Sequence, residues 1–276
     1  MIEILTACLL LAVLGALLGI LIGFTARHFA VEKDSRVDEI LSLLPGANCG
    51  GCGFAGCADC AKAVVEGFAE PSVCTAASDE SLEQIGKILG IESSEKIRKV
   101  AVVHCSGDGE SAKRSALYNG LNDCRAAAAL SGGGKGCRFG CIGLGSCARA
   151  CPFGAVEIRR GLAFILTDRC KGCGRCEEVC PRKLIRLVPA STRVHIYCNS
   201  LEKMPQRRKN CSVACLLCRK CLRYAPDQLN YQGFLVRCHE DNTLTESDLV
   251  QINCPSGILR TREQHLDFCR GKDEKQ

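Results

Sequence analysis

The sequence predicts an α+β protein in which a single N-terminal transmembrane helix precedes several small, cysteine-rich units. Three observations predict it: an uncharged apolar run near the N-terminus, 24 cysteines among 276 residues, and the absence of tryptophan. With only 4 tyrosines and 9 phenylalanines, one thick apolar core is not expected. Cross-links through the cysteines must therefore help to hold the small units together.

The apolar run extends from Ile4 to Ala26. It is long enough to cross a bilayer about 30 Å thick, and its acidic start at Glu3 is unlike that of a cleavable signal peptide. Arg27, His28 and Lys33 follow the run. Because positive residues flank membrane helices on the cytoplasmic side, we expect the soluble part in the cytoplasm. Thiols stay reduced there, which favours metal ligands over disulfides.

The formal net charge is +6 at pH 7 when thiols are counted as neutral. Such an excess often indicates an acidic partner such as nucleic acid. The chain has few aromatic residues for base stacking and no recognisable nucleic-acid-binding motif, so no nucleic-acid partner is expected. Negatively charged metal clusters held by thiolates would cancel the excess instead.

The chain divides into an anchor, a linker and three soluble segments. The transmembrane anchor is predicted for residues 1–27 and the linker, with a short helix, for residues 28–44. A small helical unit with a glycine-rich cysteine loop follows at 45–98. An internal repeat then divides the remainder into residues 99–190 and 191–276.

Cysteine positions define this repeat, and a strand followed by a cysteine precedes each copy. The equivalent positions are Cys105 and Cys198, Cys137 and Cys211, Cys141 and Cys215, Cys147 and Cys221, and Cys151 and Ala225. The sequence therefore predicts two tandem ferredoxin-like modules, at about 137–190 and 211–260.

The clearest metal-binding signal is Cys170-x2-Cys173-x2-Cys176-x3-Cys180-Pro181. Three thiolates two residues apart can surround one [4Fe–4S] cluster, and the cysteine before proline binds a neighbouring cluster in two-cluster ferredoxins. A zinc site needs only four ligands and does not explain this tandem run. The pattern predicts iron–sulfur chemistry.

The partner run contains Cys137, Cys141, Cys147 and Cys151, but Leu144 stands where a regular motif has a cysteine. We expect Cys137 to replace the missing ligand. The crossed pattern then predicts two clusters, one held by Cys137, Cys141, Cys147 and Cys180, and the other by Cys151, Cys170, Cys173 and Cys176.

The second module has one complete ligand set, Cys215, Cys218, Cys221 and Cys254. Its companion site has lost ligands, because Ala225 replaces a cysteine and no cysteine follows Cys238 at the regular spacing. The second cluster of this module is therefore expected to be missing, with Cys238 as a buried small side chain.

The N-terminal loop predicts a further cluster, with Cys49, Cys52, Cys57 and Cys74 as its ligands. Its glycines let the backbone fold closely around a cluster and direct N–H groups at sulfur. Cys60, one helical turn after Cys57, is an alternative to Cys74. The sequence thus predicts about four [4Fe–4S] clusters.

Four cysteines fit none of these motifs. They are Cys105, Cys124, Cys198 and Cys211. They either form an additional ligand set or are buried apolar residues, with Cys211 also an alternative ligand in its own module.

A basic stretch surrounds the second module. It comprises Lys203, Arg207, Arg208, Lys209, Arg219, Lys220 and Arg223. These residues either offset the charge of the clusters or guide an acidic electron donor to the protein.

The order of these motifs resembles the B subunit of the Rnf complex. The likeness includes the anchor, the loop Leu44-Pro-Gly-Ala-Asn-Cys49-Gly-Gly-Cys52-Gly-Phe-Ala-Gly-Cys57 and the run Cys141-Ile-Gly-Leu-Gly-Ser-Cys147-Ala-Arg-Ala-Cys151-Pro. Each member of this family is the iron–sulfur subunit of a membrane-bound ferredoxin:NAD+ oxidoreductase that translocates Na+ or H+. This sequence departs from the longer family pattern at Ala225 and after Cys238.

The resemblance implies a subunit of a translocase in the cytoplasmic (inner) membrane. The chain would take electrons from soluble reduced ferredoxin and relay them towards the other subunits, without a complete active site of its own. A membrane-tethered docking module and a redox sensor are the alternatives. Multiple tandem motifs favour the relay, because a sensor or scaffold needs one cluster at most.

Overall fold

The computed structural model describes residues 2–28, 34–91 and 96–270. The predicted flanking residue Lys33 and the tail residues 271–276 lie outside these ranges. Helix α1 is Ile2–His28, and its segment Ile2–Thr25 is long and apolar enough to span a membrane. No part of this span is buried against the chain. Its exposed leucines suit a helix surrounded by lipid.

The first soluble unit consists of three short helices around a core of its own. They are α2 Ser35–Leu43, α3 Cys57–Val65 and α4 Asp79–Leu89. Side chains of Asp34 and Ser78 accept backbone N–H groups at the starts of α2 and α4, as N-caps do. Although α2 lies in the predicted linker, its Ile40 is 0% exposed in the core of this unit.

The first repeat contains two two-stranded antiparallel sheets. Strand β1, Lys99–Val103, pairs with β4, Ile185–Pro189, and the hairpin β2–β3 lies between them in sequence. The remaining elements of the repeat are α5 Cys124–Ala129, α6 Ser146–Arg149, β2 Val156–Arg159, β3 Leu162–Ile165 and α7 Arg175–Val179. The strand predicted from the valine-rich segment is β1.

The second repeat has the same strand plan. Strand β5, Val194–Ile196, pairs with β8, Leu259–Thr261, and a hairpin of β6 and β7 lies between them in sequence. Its other elements are α8 Met204–Asn210, α9 Lys220–Tyr224, β6 Leu229–Gln232, β7 Leu235–Cys238, α10 Glu246–Ile252 and α11 Arg262–Arg270. The shared plan places equivalent cysteines at equivalent points of the two repeats.

The two repeats share one hydrophobic core. Val100 of β1 and Val194 of β5 are both 0% exposed within it. Hydrogen bonds also cross between the repeats: the Lys113 N–H donates to the Asn210 carbonyl oxygen at 2.9 Å, and the Ser212 N–H donates to Ser111 in the same way. The cysteines at this junction are therefore held by both repeats.

Candidate metal centres

All 24 cysteines lie in the described part of the chain, and each carries a free thiol. Within residues 2–28, 34–91 and 96–270, no three side chains of His, Cys, Asp or Glu are placed to hold a single metal ion. Several groups of four cysteines nevertheless line common cavities.

Cavity I is the space lined by Cys151, Cys170, Cys173 and Cys176. These are the residues that the crossed ferredoxin pattern predicts for one cluster. The Ala101 N–H points at the Cys170 sulfur at 3.4 Å, and the Ala155 N–H points at the Cys151 sulfur at 3.3 Å. Such bonds stabilise negative charge on thiolate sulfur.

Cavity II is the space lined by Cys124, Cys141, Cys147 and Cys180. Three of these residues belong to the set predicted for the second cluster of the first module. The fourth is Cys124, where the sequence predicted Cys137. The structure thus groups Cys124 with the ferredoxin ligands and places Cys137 elsewhere.

A polar network fixes the position of Cys124 at the start of α5. Asp123 caps the helix by accepting the N–H groups of Arg125 and Ala126. The Ser146 hydroxyl donates to the Asp123 carboxylate at 2.8 Å and accepts the Cys124 N–H at 2.8 Å. Because Ser146 begins α6, this network ties Cys124 to the segment that carries Cys147.

Cavity III is the space lined by Cys105, Cys137, Cys198 and Cys211. It lies between the two repeats. The predicted additional set contained three of these cysteines and had Cys124 in place of Cys137. The repeat register contains the signal for the observed set, because Cys105 is equivalent to Cys198 and Cys137 is equivalent to Cys211.

The distal site comprises Cys215, Cys218, Cys221 and Cys254, as the sequence predicted for the second module. Cys221 interacts electrostatically with Cys254 and Cys218, and Cys215 interacts with Cys221. Burial opposes ionisation of Cys254, but N–H groups of Leu259 and Ile258 and the Ser256 hydroxyl hold the pKa of its thiol below the usual value. Cys218 is exposed, so this site reaches the surface.

The companion position in the second module is filled by apolar packing. Cys238 ends β7 opposite Leu229, and Cys238 and Ala225 both pack against the shared core. Burial raises the pKa of the Cys238 thiol to about 12. This environment suits the buried small side chain that the sequence predicts for Cys238.

The loop site comprises the predicted ligands Cys49, Cys52, Cys57 and Cys74, and Cys60 lies beside it. Burial raises the pKa of the Cys60 thiol to about 12, with a further rise from Cys52, Cys74 and Cys57. Cys49 also interacts with Cys173 of cavity I. The structure therefore places both the expected ligand Cys74 and its alternative Cys60 next to Cys52.

Buried thiols in these cavities resist ionisation unless a positive core accompanies them. Burial raises the pKa of Cys141 and Cys176 to about 12. Iron–sulfur clusters are bound by thiolates, and the positive charge of iron offsets the cost of burying them. The donor sets of the cavities, made of four cysteines each, fit [4Fe–4S] clusters.

Two buried or half-buried cations beside the cavities were not expected as part of a site. Arg207 is 2% exposed and donates to the carbonyl oxygens of Glu202, Ser200 and Phe234. It is therefore not part of a surface that steers a donor, whereas the other residues of the predicted basic stretch are exposed. Half-buried Lys135 is the second cation, and both line cavity III.

Comparison with known proteins supports the iron–sulfur interpretation. Residues 44–76 match the family described as a putative Fe-S cluster domain, and residues 145–191 match the LdpA Fe-S cluster-binding domain. The first match contains the loop site, and the second contains Cys147, Cys151 and the tandem run of cavity I. The predicted α+β fold with an N-terminal apolar helix and iron–sulfur domains is confirmed.

Longer similarities join most of the chain to one family. The chain is 34% identical to the B subunit of an ion-translocating oxidoreductase complex of Methanosarcina acetivorans, over 91% of this chain and 96% of the relative. It is 40% identical to the B subunit of the Na+-translocating ferredoxin:NAD+ oxidoreductase complex of Acetobacterium woodii, over 75% of this chain and 62% of the relative.

A third relative is the B subunit of the proton-translocating ferredoxin:NAD+ oxidoreductase complex of Clostridium ljungdahlii, 35% identical over 74% of this chain and 73% of the relative. The named translocated ion thus differs between relatives. The resemblance predicted from the cysteine motifs is confirmed: the chain belongs to the family of the B subunit, the iron–sulfur subunit of ion-translocating oxidoreductase (Rnf) complexes.

Proposed function

We propose that this chain relays electrons from soluble reduced ferredoxin towards the NAD+-reducing and ion-pumping subunits of a membrane complex. The observation that carries the proposal is the close succession of cysteine-lined sites through one folded body. Bound [4Fe–4S] clusters would supply one-electron transfer at these sites. The polypeptide sets their spacing, burial and charge.

Contact between the loop site and cavity I is direct. A Cβ atom at Gly51 would lie 2.7 Å from the Cys173 carbonyl oxygen and 2.8 Å from its Cα atom, so only glycine permits this approach. Phe153 of the first repeat also packs against the core of the first soluble unit. These contacts support electron exchange between the two sites.

Cavities I and II lie next to each other, because α6 carries Cys147 of cavity II and α7 carries Cys176 of cavity I. Cys147 of cavity II interacts electrostatically with Cys176 of cavity I. Cys180 follows α7 and lines cavity II, although its sequence run belongs to cavity I. This is the crossed ligand pattern of two-cluster ferredoxins. It supports exchange between two clusters within the first module.

Electrons from ferredoxin would enter at the distal site. Cys218 is exposed there, and exposed Arg219, Lys220 and Arg223 follow it closely in the sequence. Arg208 and Lys209, also exposed, lie on the preceding helix α8. Because opposite charges accelerate encounter, this face suits an acidic protein donor.

The N-terminal helix would hold this relay at the membrane with its soluble part in the cytoplasm. Arg27 and His28 lie in the last turn of α1, on the side from which the rest of the chain continues. Positive residues mark the cytoplasmic flank of membrane helices. Cysteine accessibility to a membrane-impermeant reagent in oriented vesicles tests this placement.

A redox titration followed by EPR spectroscopy tests the relay. The expected result is reversible reduction of several interacting low-potential clusters, in the range near −400 mV that is typical of ferredoxins. A redox-silent or zinc-only protein would contradict the proposal. A docking module or a sensor, the alternatives, would show at most one reversible centre.

A further inference from the structure

The four cysteines of cavity III come from both repeats in matching pairs. Cys105 and Cys198 each follow the first strand of a repeat, and Cys137 and Cys211 each precede its ligand-rich loop. Four cysteines line cavity III, as four line each of the two cavities with ferredoxin-type ligands.

The four thiols of cavity III come from separate parts of the chain. All four cysteines line the same space. The sulfur atoms of Cys211 and Cys105 both approach Gly107, where an added Cβ atom would lie 3.3 Å from the first and 3.8 Å from the second. Four separate chain segments therefore converge on this cavity.

Cavity III adjoins a predicted cluster site on each side. Towards cavity II, the Cys141 N–H points at the Cys105 sulfur at 3.4 Å. Towards the distal site, the Cys198 sulfur accepts the Cys215 N–H. Cavity III therefore lies between the sites of the first module and the distal site of the second. Without a redox centre in it, no cluster site would connect the two modules.

Two cations at the cavity wall match the charge of a thiolate-bound cluster. The Lys135 ammonium donates to the carbonyl oxygens of Gly107 at 2.6 Å and Cys141 at 2.7 Å, so it is held beside cavities II and III. Buried Arg207 approaches the Cys215 carbonyl oxygen at 3.5 Å. Near Cys137, Glu202 is an opposing negative charge and Arg182 a further positive one. Three cations and one carboxylate leave net positive charge around the cavity, which favours the reduced cluster.

We propose that Cys105, Cys137, Cys198 and Cys211 bind a fifth [4Fe–4S] cluster, which joins the two repeats into one electron path. The proposal rests on the relay function proposed above. A cluster held by these four thiols would supply one-electron transfer between the distal site and cavity II. The donor would be oxidised as the acceptor is reduced, so no bond would form or break and no other reactant would be needed.

Iron and acid-labile sulfide in the purified, reconstituted full-length protein test this site. The wild type should contain about 20 of each per chain. The double variant Cys198→Ala, Cys211→Ala should contain about 16 and lose one EPR signal. Its matched control, Cys8→Ala with Cys238→Ala, also removes two thiols and should retain about 20.

Several results would overturn the fifth cluster. A wild type with about 16 iron atoms per chain would contradict it without any variant, even if the double variant fails to fold. Equal iron content in the wild type and in the folded double variant would also contradict it. If iron falls as expected but the protein is redox-silent, the ligand set stands and the relay function fails. If reduction is reversible but the variant loses no iron, the relay function stands and the fifth cluster fails.

Discussion

The two repeats share a strand plan and differ in how many clusters each can hold. The first has a complete ligand set at cavity I, whose Cys173 touches the first soluble unit. At the equivalent place the second has Ala225 and Cys238 packed against the core. The second repeat instead exposes Cys218 among basic residues. Under the proposed relay, the second repeat would receive electrons from the donor and the first repeat would pass them to the first soluble unit.

The largest expected effect is the removal of cavity I. Cys173→Ala should lose about four iron atoms per chain and should abolish reduction of the loop-site cluster from the ferredoxin side, because the intermediate stop is absent. Cys238→Ala, in the second repeat, should leave both quantities unchanged. Iron analysis and EPR after reduction by ferredoxin measure them. If both variants retain iron equally, cavity I is not a cluster site.

Gly51→Ala should slow electron exchange between the loop site and cavity I. The added Cβ would meet the Cys173 backbone at 2.7 Å, so the two units must separate slightly. A slower rate is expected, because electron transfer slows as the distance between the two centres grows. Stopped-flow absorbance measures it, with iron content unchanged.

The control for this prediction adds one atom to the same loop away from the contact. Ala55 is exposed, and Ala55→Ser should leave the rate at the wild-type value. An unchanged rate in Gly51→Ala would show that this contact does not limit transfer.

Lys135→Met should lower the midpoint potentials of the clusters in cavities II and III together. The ammonium lies between the two, and its loss removes a charge that favours the added electron. At a fixed potential the reduced-to-oxidised ratio of each should fall about tenfold, which is ~59 mV for a one-electron couple. EPR-monitored titration measures both.

Two comparisons isolate the charge of Lys135. Lys135→Arg should keep both potentials close to the wild type. Lys113→Met makes the same change at an exposed lysine. Lys113 precedes Arg114, the residue that forms a β-bridge with Lys135. Because water screens the charge at an exposed position, this variant should leave both potentials unchanged. Equal potentials in Lys135→Met and the wild type would show that the Lys135 charge does not tune these clusters.

The smallest expected effect comes from the basic face of the second repeat. Arg208→Glu with Lys209→Glu should slow reduction by ferredoxin about threefold at low salt and little at high salt, because steering is screened by ions. Lys62→Glu with Lys87→Glu reverses two exposed lysines of the first soluble unit and should leave the rate unchanged. A slowing that persists at high salt would not be electrostatic steering.

The regular cysteine spacing predicts a set that the structure brings to one cavity, Cys151, Cys170, Cys173 and Cys176, because most of these residues lie on one short loop whose geometry is local. Cys124 could not be assigned in this way. It reaches cavity II through the Asp123–Ser146 network, and hydrogen bonds between distant segments leave no spacing signature. The spacing predicts Cys137 in the set with Cys141, Cys147 and Cys180, whereas the structure places it in the lining of cavity III beside Cys211, its repeat equivalent.

Burial was also hard to predict at charged residues. Arg207 lies in a basic run that looks like a solvated surface, yet its side chain is enclosed by carbonyl oxygens of three separate segments. By contrast, the anchor and β1 followed from apolar runs alone, because length and hydropathy determine a membrane span and a buried strand.

The most direct test of the relay follows electrons across the junction between the repeats. Rapid-freeze EPR after mixing with a reduced low-potential ferredoxin records the loop-site cluster in the wild type and in the double variant Cys198→Ala, Cys211→Ala. We predict rapid reduction in the wild type, and in the variant reduction of the distal cluster while the loop site stays oxidised. Equally rapid reduction of the loop site in both proteins would contradict a path through cavity III.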